Sequence, residues 1–335
     1  MPHHNFYFDT GSDLYLFDFW GFYLLLAFFA AYERCKALER SNTVVHNGPL
    51  LALRGRILGY MLIHAPIDEG RVNVRNEIES CETEANLMDL AQFYLDRFIR
   101  IFKSGRGRTH AAKEVPKDHQ NAKNQALVRD DYKCLVTKRL DADEYERRLA
   151  INPALDTHWT HTHAAHILPD CLNQDLGLAS VETSPRLNWA TSAWAMLEHF
   201  GKVNQILDDL NSGDIHDLDN ILTLDTQLHQ SFDSLKLWFE PQGGVPNQYR
   251  ACTLWPDFRI PNPPIVTFTS SNNCLPVPSE RFLRLHTACA KVANLSGASE
   301  YVDRTFRDLE EMEVLASDGT SADTLGFSLA RISVI

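Results

Sequence analysis

The sequence predicts an α+β protein in which a central region of short strands and helices is set between mainly helical flanks. Three observations carry that expectation. The stretch "EANLMDLAQFYLDRFIRIF" places Leu87, Leu90, Phe93, Tyr94, Phe98 and Ile101 at helical spacing, with charged residues between them. The runs "HWTHTHAAHIL", "ILTLD" and "LKLWF" are short, rich in strand-forming residues, and bounded by turn residues. Residues 279–315 return to a helical pattern.

Taken in order, residues 1–110 form a helical N-terminal region. Within it "FWGFYLLLAFFAAY", Phe19 to Tyr32, carries no charge. A spanning helix needs about 20 apolar residues, and extending this run backwards meets Asp18, so it reads as a buried core helix. The preceding "MPHHNFYFDTGSD" holds acids and no Lys or Arg, which does not fit a secretory leader. From Ser104 to Gln120 the polar, basic and Gly/Pro-interrupted "SGRGRTHAAKEVPKDHQ" reads as a linker or mobile arm, with a boundary near residue 110.

The central region is placed at 111–245. "NQALVRDDYKCLVT" suggests a short helix running into a strand at Tyr132 to Val136, and the histidine-rich strand "HWTHTHAAHIL" follows. Residues 188–210 are amphipathic, with Trp194, Leu197, Phe200, Val203 and Leu207 as a core-facing stripe. After the turn-rich "NSGDIHDLDN" comes the strand "ILTLD", and Asp225 or Thr226 can cap a helix beginning "TQLHQSFD". "LKLWF" is a further strand. Residues 246–335 are a C-terminal region, irregular around Pro256 to Pro264, helical over 279–315 and loose over the last twenty residues.

Composition bounds the function. With 335 residues, 44% hydrophobic and 23% charged, the chain can bury a real core. Seven scattered cysteines, none arranged as CxxC, indicate neither a disulfide framework nor a zinc knuckle and fit a reducing, intracellular compartment. A formal charge of −12 argues against non-specific coating of nucleic acid, but the charge is uneven. Between Arg97 and Arg139 twelve basic residues meet four acids. Such a run is ordinarily a solvated face; here the histidines follow it, and Arg129, Lys133, Lys138 and Arg139 are candidate phosphate contacts.

"THTHAAHILPD" brings His161, His163 and His166 within six positions, and "LHQSFD" spaces His229 and Asp233 four apart, one helical turn. An imidazole and a carboxylate on one helix face suit a divalent ion left open to water and a phosphate oxygen; the plainer reading is a surface hydrogen bond. Order separates the two readings: "AHILP", then "DNILTL", then the helix carrying "LHQSFD".

In that order the sequence resembles the HNH endonuclease family, whose ββα-metal core is a hairpin followed by a helix. The matching residues are His166, Asn220 and His229; "ALVRDDYKCLVT", "AHILPD" and "DNILTLDTQLHQSFDSLKLWF" extend the likeness over about residues 126–240. It is closest to the forms in which Ala-His-Ile replaces Asp-His-Ile and His-x-x-Phe-Asp replaces the end containing CxxC. The resemblance implies an α+β fold with an HNH nuclease core, a helical insertion and helical flanks, and a metal-dependent hydrolysis of phosphodiester bonds, with double-stranded DNA as the partner. His166 would be the general base, His229 and Asp233 the metal ligands, and Asn220 the residue that restrains the loop. The cofactor would be a divalent ion, Mg²⁺ first, with Mn²⁺ or Zn²⁺ as alternatives. The residue before the base is often a ligand in this family; here it is Ala165, leaving His163 or Asp170 as a third ligand, His163 lying about 7 Å along a strand from the empty position. Cys134 stands where other members begin a zinc knuckle, but no second Cys follows at the required spacing. A rival reading is a catalytically degenerate HNH fold that binds nucleic acid or acts as a scaffold.

Overall fold

The structure is a computed structural model; it describes residues 19–41, 50–103, 117–169, 172, 185–202 and 215–311, with the backbone alone over 19–27, 117–119, 185–192 and 309–311. The N-terminal helices are α1 (Phe19–Arg40), α2 (Leu51–Ile63), α3 (Asp68–Ser80) and α4 (Glu84–Tyr94), the last continuing through a π-helical turn (Leu95–Ile99) into α5 (Arg100–Lys103). Thr83 starts α4 with a reciprocal cap: its hydroxyl accepts from the Asn86 amide at 3.2 Å, and the Asn86 side chain accepts from the Thr83 amide at 3.2 Å. Gly55 lets α2 press onto α1, because a Cβ there would lie 2.6 Å from the Cys35 carbonyl oxygen. Ala31, Cys35 and Leu38 of α1 are buried in the core. Among the described residues no helix is long and apolar enough to cross a membrane.

Helix α6 (Lys117–Arg129) opens the central region. The strand expected at Tyr132 to Val136 is instead a sequence of tight turns. Asp131 and Tyr132 adopt φ of 54° and 57°, outside the extended region, and the backbone then closes on itself through Cys134 N–H to Arg139 O at 3.0 Å and Lys138 N–H to Cys134 O at 3.0 Å. Leu135 and Val136 are apolar because the turn is buried, not because they form a ladder. The Cys134 sulfur is enclosed and accepts from the amides of Thr137 at 3.5 Å and Asp225 at 3.3 Å, so it works as a packing and hydrogen-bonding residue.

Next come β1 (Leu140–Asp141), α7 (Ala142–Ile151) and β2 (Trp159–Thr160), with β1 and β2 pairing in parallel. The long histidine-rich strand is broken at His161, whose carbonyl leaves the ladder to accept from the Thr226 amide and hydroxyl, each at 3.1 Å. Strand β3 (Thr162–His166) then pairs antiparallel with β4 (Ile221–Asp225) over its full length, Thr162 opposite Asp225 and His166 opposite Ile221. Between these strands lies α8 (Pro185–Gly201), in which Trp194, Leu197 and Phe200 are buried and the Trp194 indole donates to the Leu172 carbonyl at 3.0 Å. Val203 and Leu207 of the expected stripe, Asp170, residues 104–116 of the expected linker and the tail beyond 311 lie outside the described residues, while the last four linker residues, 117–120, instead form the first turn of α6.

Helix α9 (Thr226–Asp233) leaves β4 without a connecting loop. Asp225 makes this possible: its carboxylate accepts from the amides of Gln227 at 3.0 Å and Leu228 at 3.4 Å, satisfying donors that the first helical turn leaves bare. A three-stranded antiparallel sheet follows, β5 (Leu237–Pro241), β6 (Gln248–Thr253) and β7 (Ile265–Thr267), and the chain ends its described part in α10 (Glu280–Ser296) and α11 (Ala298–Glu311).

Helix α10 fixes what surrounds α9. The buried His286 ring stacks on Phe232 with centroids 3.7 Å apart, and its Nε2–H donates to the Phe232 carbonyl at 3.2 Å. Asn294 donates to the Leu235 carbonyl at 2.7 Å, and Thr287 to that of Phe239 at 2.8 Å. One buried cluster runs from Ala31 through Leu222, Leu228 and Phe232 to Val302, so helices from both flanks and the central strands share a core. A smaller cluster, Ala122, Ala126, Ala164, Leu218 and Ile221, seats α6 on the β3–β4 pair.

Two expected surface cations are structural. Lys103 is fully buried, its ammonium held by the Ser299 carbonyl at 2.9 Å, the Ser299 hydroxyl at 2.7 Å and Asp303 at 2.6 Å. Arg129, a candidate phosphate contact by charge pattern, is also fully buried; its guanidinium forks onto the Asp130 carboxylate at 2.7 and 2.8 Å and donates to the carbonyls of Leu218 at 2.6 Å and Ile221 at 2.9 Å. Burial with this many acceptors is where a guanidinium is favoured over solvent, and it removes Arg129 from the set that can face a phosphate.

Candidate active site on the ββα unit

Asn220 sits in a short 3-10 turn (Leu218–Asn220) just before β4 and is 3% exposed. Its amide oxygen accepts from Leu168 N–H at 2.8 Å, and its amide nitrogen donates to the carbonyls of Leu168 at 3.1 Å and Ile215 at 2.9 Å. The Ile167 amide donates to the Asn220 carbonyl at 2.9 Å. This one side chain therefore clamps the segment leaving β3 to the segment entering β4. Arg129 braces the same turn from the other side, bonding the carbonyls on either side of Asn220.

His166 ends β3 next to that clamp. Its Nε2 lies 3.0 Å from His216 Nδ1, with ring centroids 5.1 Å apart. His216 was not singled out by sequence reasoning; the only signal was a histidine four positions ahead of Asn220 in "IHDLDN", a stretch that otherwise reads as turn.

The second group of site residues lies along α9. His229 Nε2 is 3.2 Å from Asp233 Oδ2, and His229 Nδ1 is 3.3 Å from His163 Nδ1. Three side chains thus form a chain in the order Asp233, His229, His163. His229 Nε2 faces the Asp233 carboxylate, and between the two Nδ1 atoms one histidine donates and the other accepts. His229 and Asp233 are 22% and 26% exposed, open enough for a ligand to reach them. Burial lowers the His163 pKa, and the neighbouring His229, Lys123 and His161 lower it further, against an opposing pull from Asp233. Lys123, on α6, is thereby identified as a cation near this chain.

Strand alternation points His163 and Ala165 to one face and His166 to the other. Among the described residues no hydrogen bond, ion pair or ring contact joins His166 to His229; the structure presents a His166–His216 pair and a His163–His229–Asp233 chain on the same ββα unit. Ala165 is fully enclosed in the main core, so its position has no room for a solvated ligand and explains the departure from the commoner acidic residue.

Antiparallel strands followed by a helix, with histidines on strand and helix, define the ββα core of an HNH-type fold. Residues 134–240 match the family model described as HNH endonuclease. The match covers less than half of the chain and leaves the flanking helices outside it. No curated protein and no solved structure matches the chain. The match supports a nuclease-like function directed at nucleic acid.

The donors of the α9 pair suit a divalent cation. Two ligands each about 2.1 Å from one ion and roughly at right angles stand about 3 Å apart, close to the 3.2 Å between His229 Nε2 and Asp233 Oδ2. His163 faces the opposite nitrogen of His229 and not that gap. Accordingly, among the described residues no group of three His, Cys, Asp or Glu side chains converges on one point.

Proposed function

We propose that the protein is a metal-dependent endonuclease that hydrolyses phosphodiester bonds of DNA. The observation that carries this is the seating of His229 and Asp233 one turn apart at the partly open end of a ββα unit, with a donor spacing that one cation can bridge. His229 and Asp233 hold a divalent ion, Mg²⁺ in the first instance, which supplies charge neutralisation at the phosphoryl group and the leaving oxygen. His163, expected from sequence as a third ligand, would act through its contact with His229 Nδ1 and orient that ring as a ligand; such orienting partners are usual for metal-bound imidazoles.

His166 is the general base. A histidine can take a proton from water near neutral pH without large tuning, and His216 holds its ring at a set angle. Asn220 contributes geometry: its three hydrogen bonds fix the path of the chain just after His166, so the base keeps its direction.

The test is cleavage of supercoiled plasmid by the full chain with Mg²⁺, with Mn²⁺ and with EDTA. Nicking that requires the cation and is lost in Asp233→Ala supports the reading. Ala165, which removes one customary ligand, favours a second reading in which the fold binds nucleic acid without cutting it. Binding of DNA with no cleavage under any divalent ion decides for that second reading.

A further inference from the structure

The loop between β6 and β7 is tied to the segment just after α9 and carries two aromatic rings held out in solvent. Trp255 is 73% exposed and Phe258 is 87% exposed. Single exposed apolar residues are ordinary on protein surfaces, but these two stand three positions apart on a backbone that is tied down. The Leu254 amide donates to the Lys236 carbonyl at 3.1 Å, three residues past Asp233, which fixes one end of the loop to the end of α9. Asp257 accepts from the Arg259 amide at 2.9 Å and grips its guanidinium at 2.9 and 2.7 Å, and the Ile260 amide donates to the Asp257 carbonyl at 3.1 Å. The guanidinium lies 5.4 Å from the centre of the Phe258 ring.

The other end of α9 has the same character. Asp225, the helix cap, accepts a hydrogen bond from the Thr160 hydroxyl. Thr160 follows Trp159, which is 48% exposed and stacks on Tyr145. Exposed aromatic rings are therefore tied in near both ends of the helix that carries His229 and Asp233, Trp255 through the Leu254–Lys236 bond and Trp159 through the Thr160–Asp225 bond.

We propose that Trp255 and Phe258, with Trp159 near the other end of α9, stack on unpaired bases of the nucleic acid bound at the ββα unit. This rests on the nuclease reading and adds the feature of the substrate that is recognised: exposed base faces. Every base has such a face, so rings set rigidly in solvent recognise unpaired strand with little sequence preference. The pairing of Asp257 with Arg259 neutralises the loop's own charge, so the rings, and not an ion pair with phosphate, carry this part of binding.

The experiment compares the full chain with Trp255→Ala/Phe258→Ala, Trp255→Phe and Trp255→Leu, each confirmed folded by thermal melting. Binding to a fluorescent single-stranded oligothymidylate and to a duplex of equal length is read by anisotropy in EDTA, so that cutting plays no part. The double alanine variant should bind the single strand about tenfold or more weakly, with a similar loss at low and high salt. Trp255→Phe should retain most of the affinity and Trp255→Leu should not. A double variant that binds like the unmodified chain, or a leucine that serves as well as phenylalanine, overturns the stacking role while leaving the nuclease reading standing. If the unmodified chain binds neither strand even at low salt, the nuclease reading itself fails and takes this inference with it. Ring-dependent binding to anionic vesicles in place of oligonucleotides also overturns it.

Discussion

At the scale of single residues, base and metal ligands should fail in different ways. A general base contributes about 10²- to 10⁴-fold, so His166→Ala should lose that much cleavage while still binding metal and DNA. Raising the pH should restore part of the rate, because hydroxide substitutes for the missing base; His229→Ala should show no such recovery, since alkali does not replace a cation. Rate against pH for both variants checks this, and identical profiles would remove His166 from the role of base. His163→Ala should weaken Mn²⁺ binding by about 10- to 100-fold in calorimetry, the usual cost of losing an orienting partner. An unchanged affinity would mean that His229 needs no such support. His166, Asn220, His229 and Asp233 were all legible as letters in order. The His216 contact was not, because its partner lies fifty positions earlier and nothing local marks the pair. Arg129 was misread for a related reason: a tally of charge along the chain carries no information about burial.

At the scale of elements, the β3, β4 and α9 order was readable because each carries its own period and Asp225 announces the helix. The strand expected at Tyr132 to Val136 failed because a buried apolar run looks the same whether it lies in a ladder or in a turn, and positive φ at Asp131 and Tyr132 has no sequence marker as plain as glycine. That turn region depends on Arg129. Arg129→Ala should destabilise the fold by about 3–5 kcal/mol, since it leaves the enclosed Asp130 carboxylate unpaired and strips donors from two buried carbonyls. Arg129→Lys should recover little of this, because an ammonium has no fork to span those acceptors. Urea unfolding of the three proteins is the measurement, and a lysine variant as stable as the parent would refute the bracing role.

At the scale of the whole molecule, His286 gives the fold a pH dependence. Burial lowers its pKa to about 3 from an ordinary 6.5, against a smaller upward pull from its hydrogen bond to Phe232. The unfolded chain therefore binds a proton that the native state refuses between those two values. Stability is full above about pH 6.5 and falls as the pH drops through the window, at about 1.4 kcal/mol per unit from this group alone. His286→Phe should flatten that part of the stability curve; thermal melts of both proteins from neutral pH down to about pH 4 compare the slopes, and equal slopes would show that other groups dominate. None of this was visible in sequence, where the histidine of "RLHTACA" resembles any residue of an amphipathic helix.

The two strands that frame the site are joined not by a tight turn but by residues 167–220, with α8 among them. A short hairpin closes in microseconds from local contacts, whereas this pairing must wait for distant parts of the chain to meet. Its helix is then held by His286 and Asn294, which emerge later still during synthesis. A ribosome-bound or truncated chain ending before α10 thus carries His229 on a helix that lacks the contacts of His286 and Asn294. Chain order makes the fully packed ββα unit one of the last products of folding.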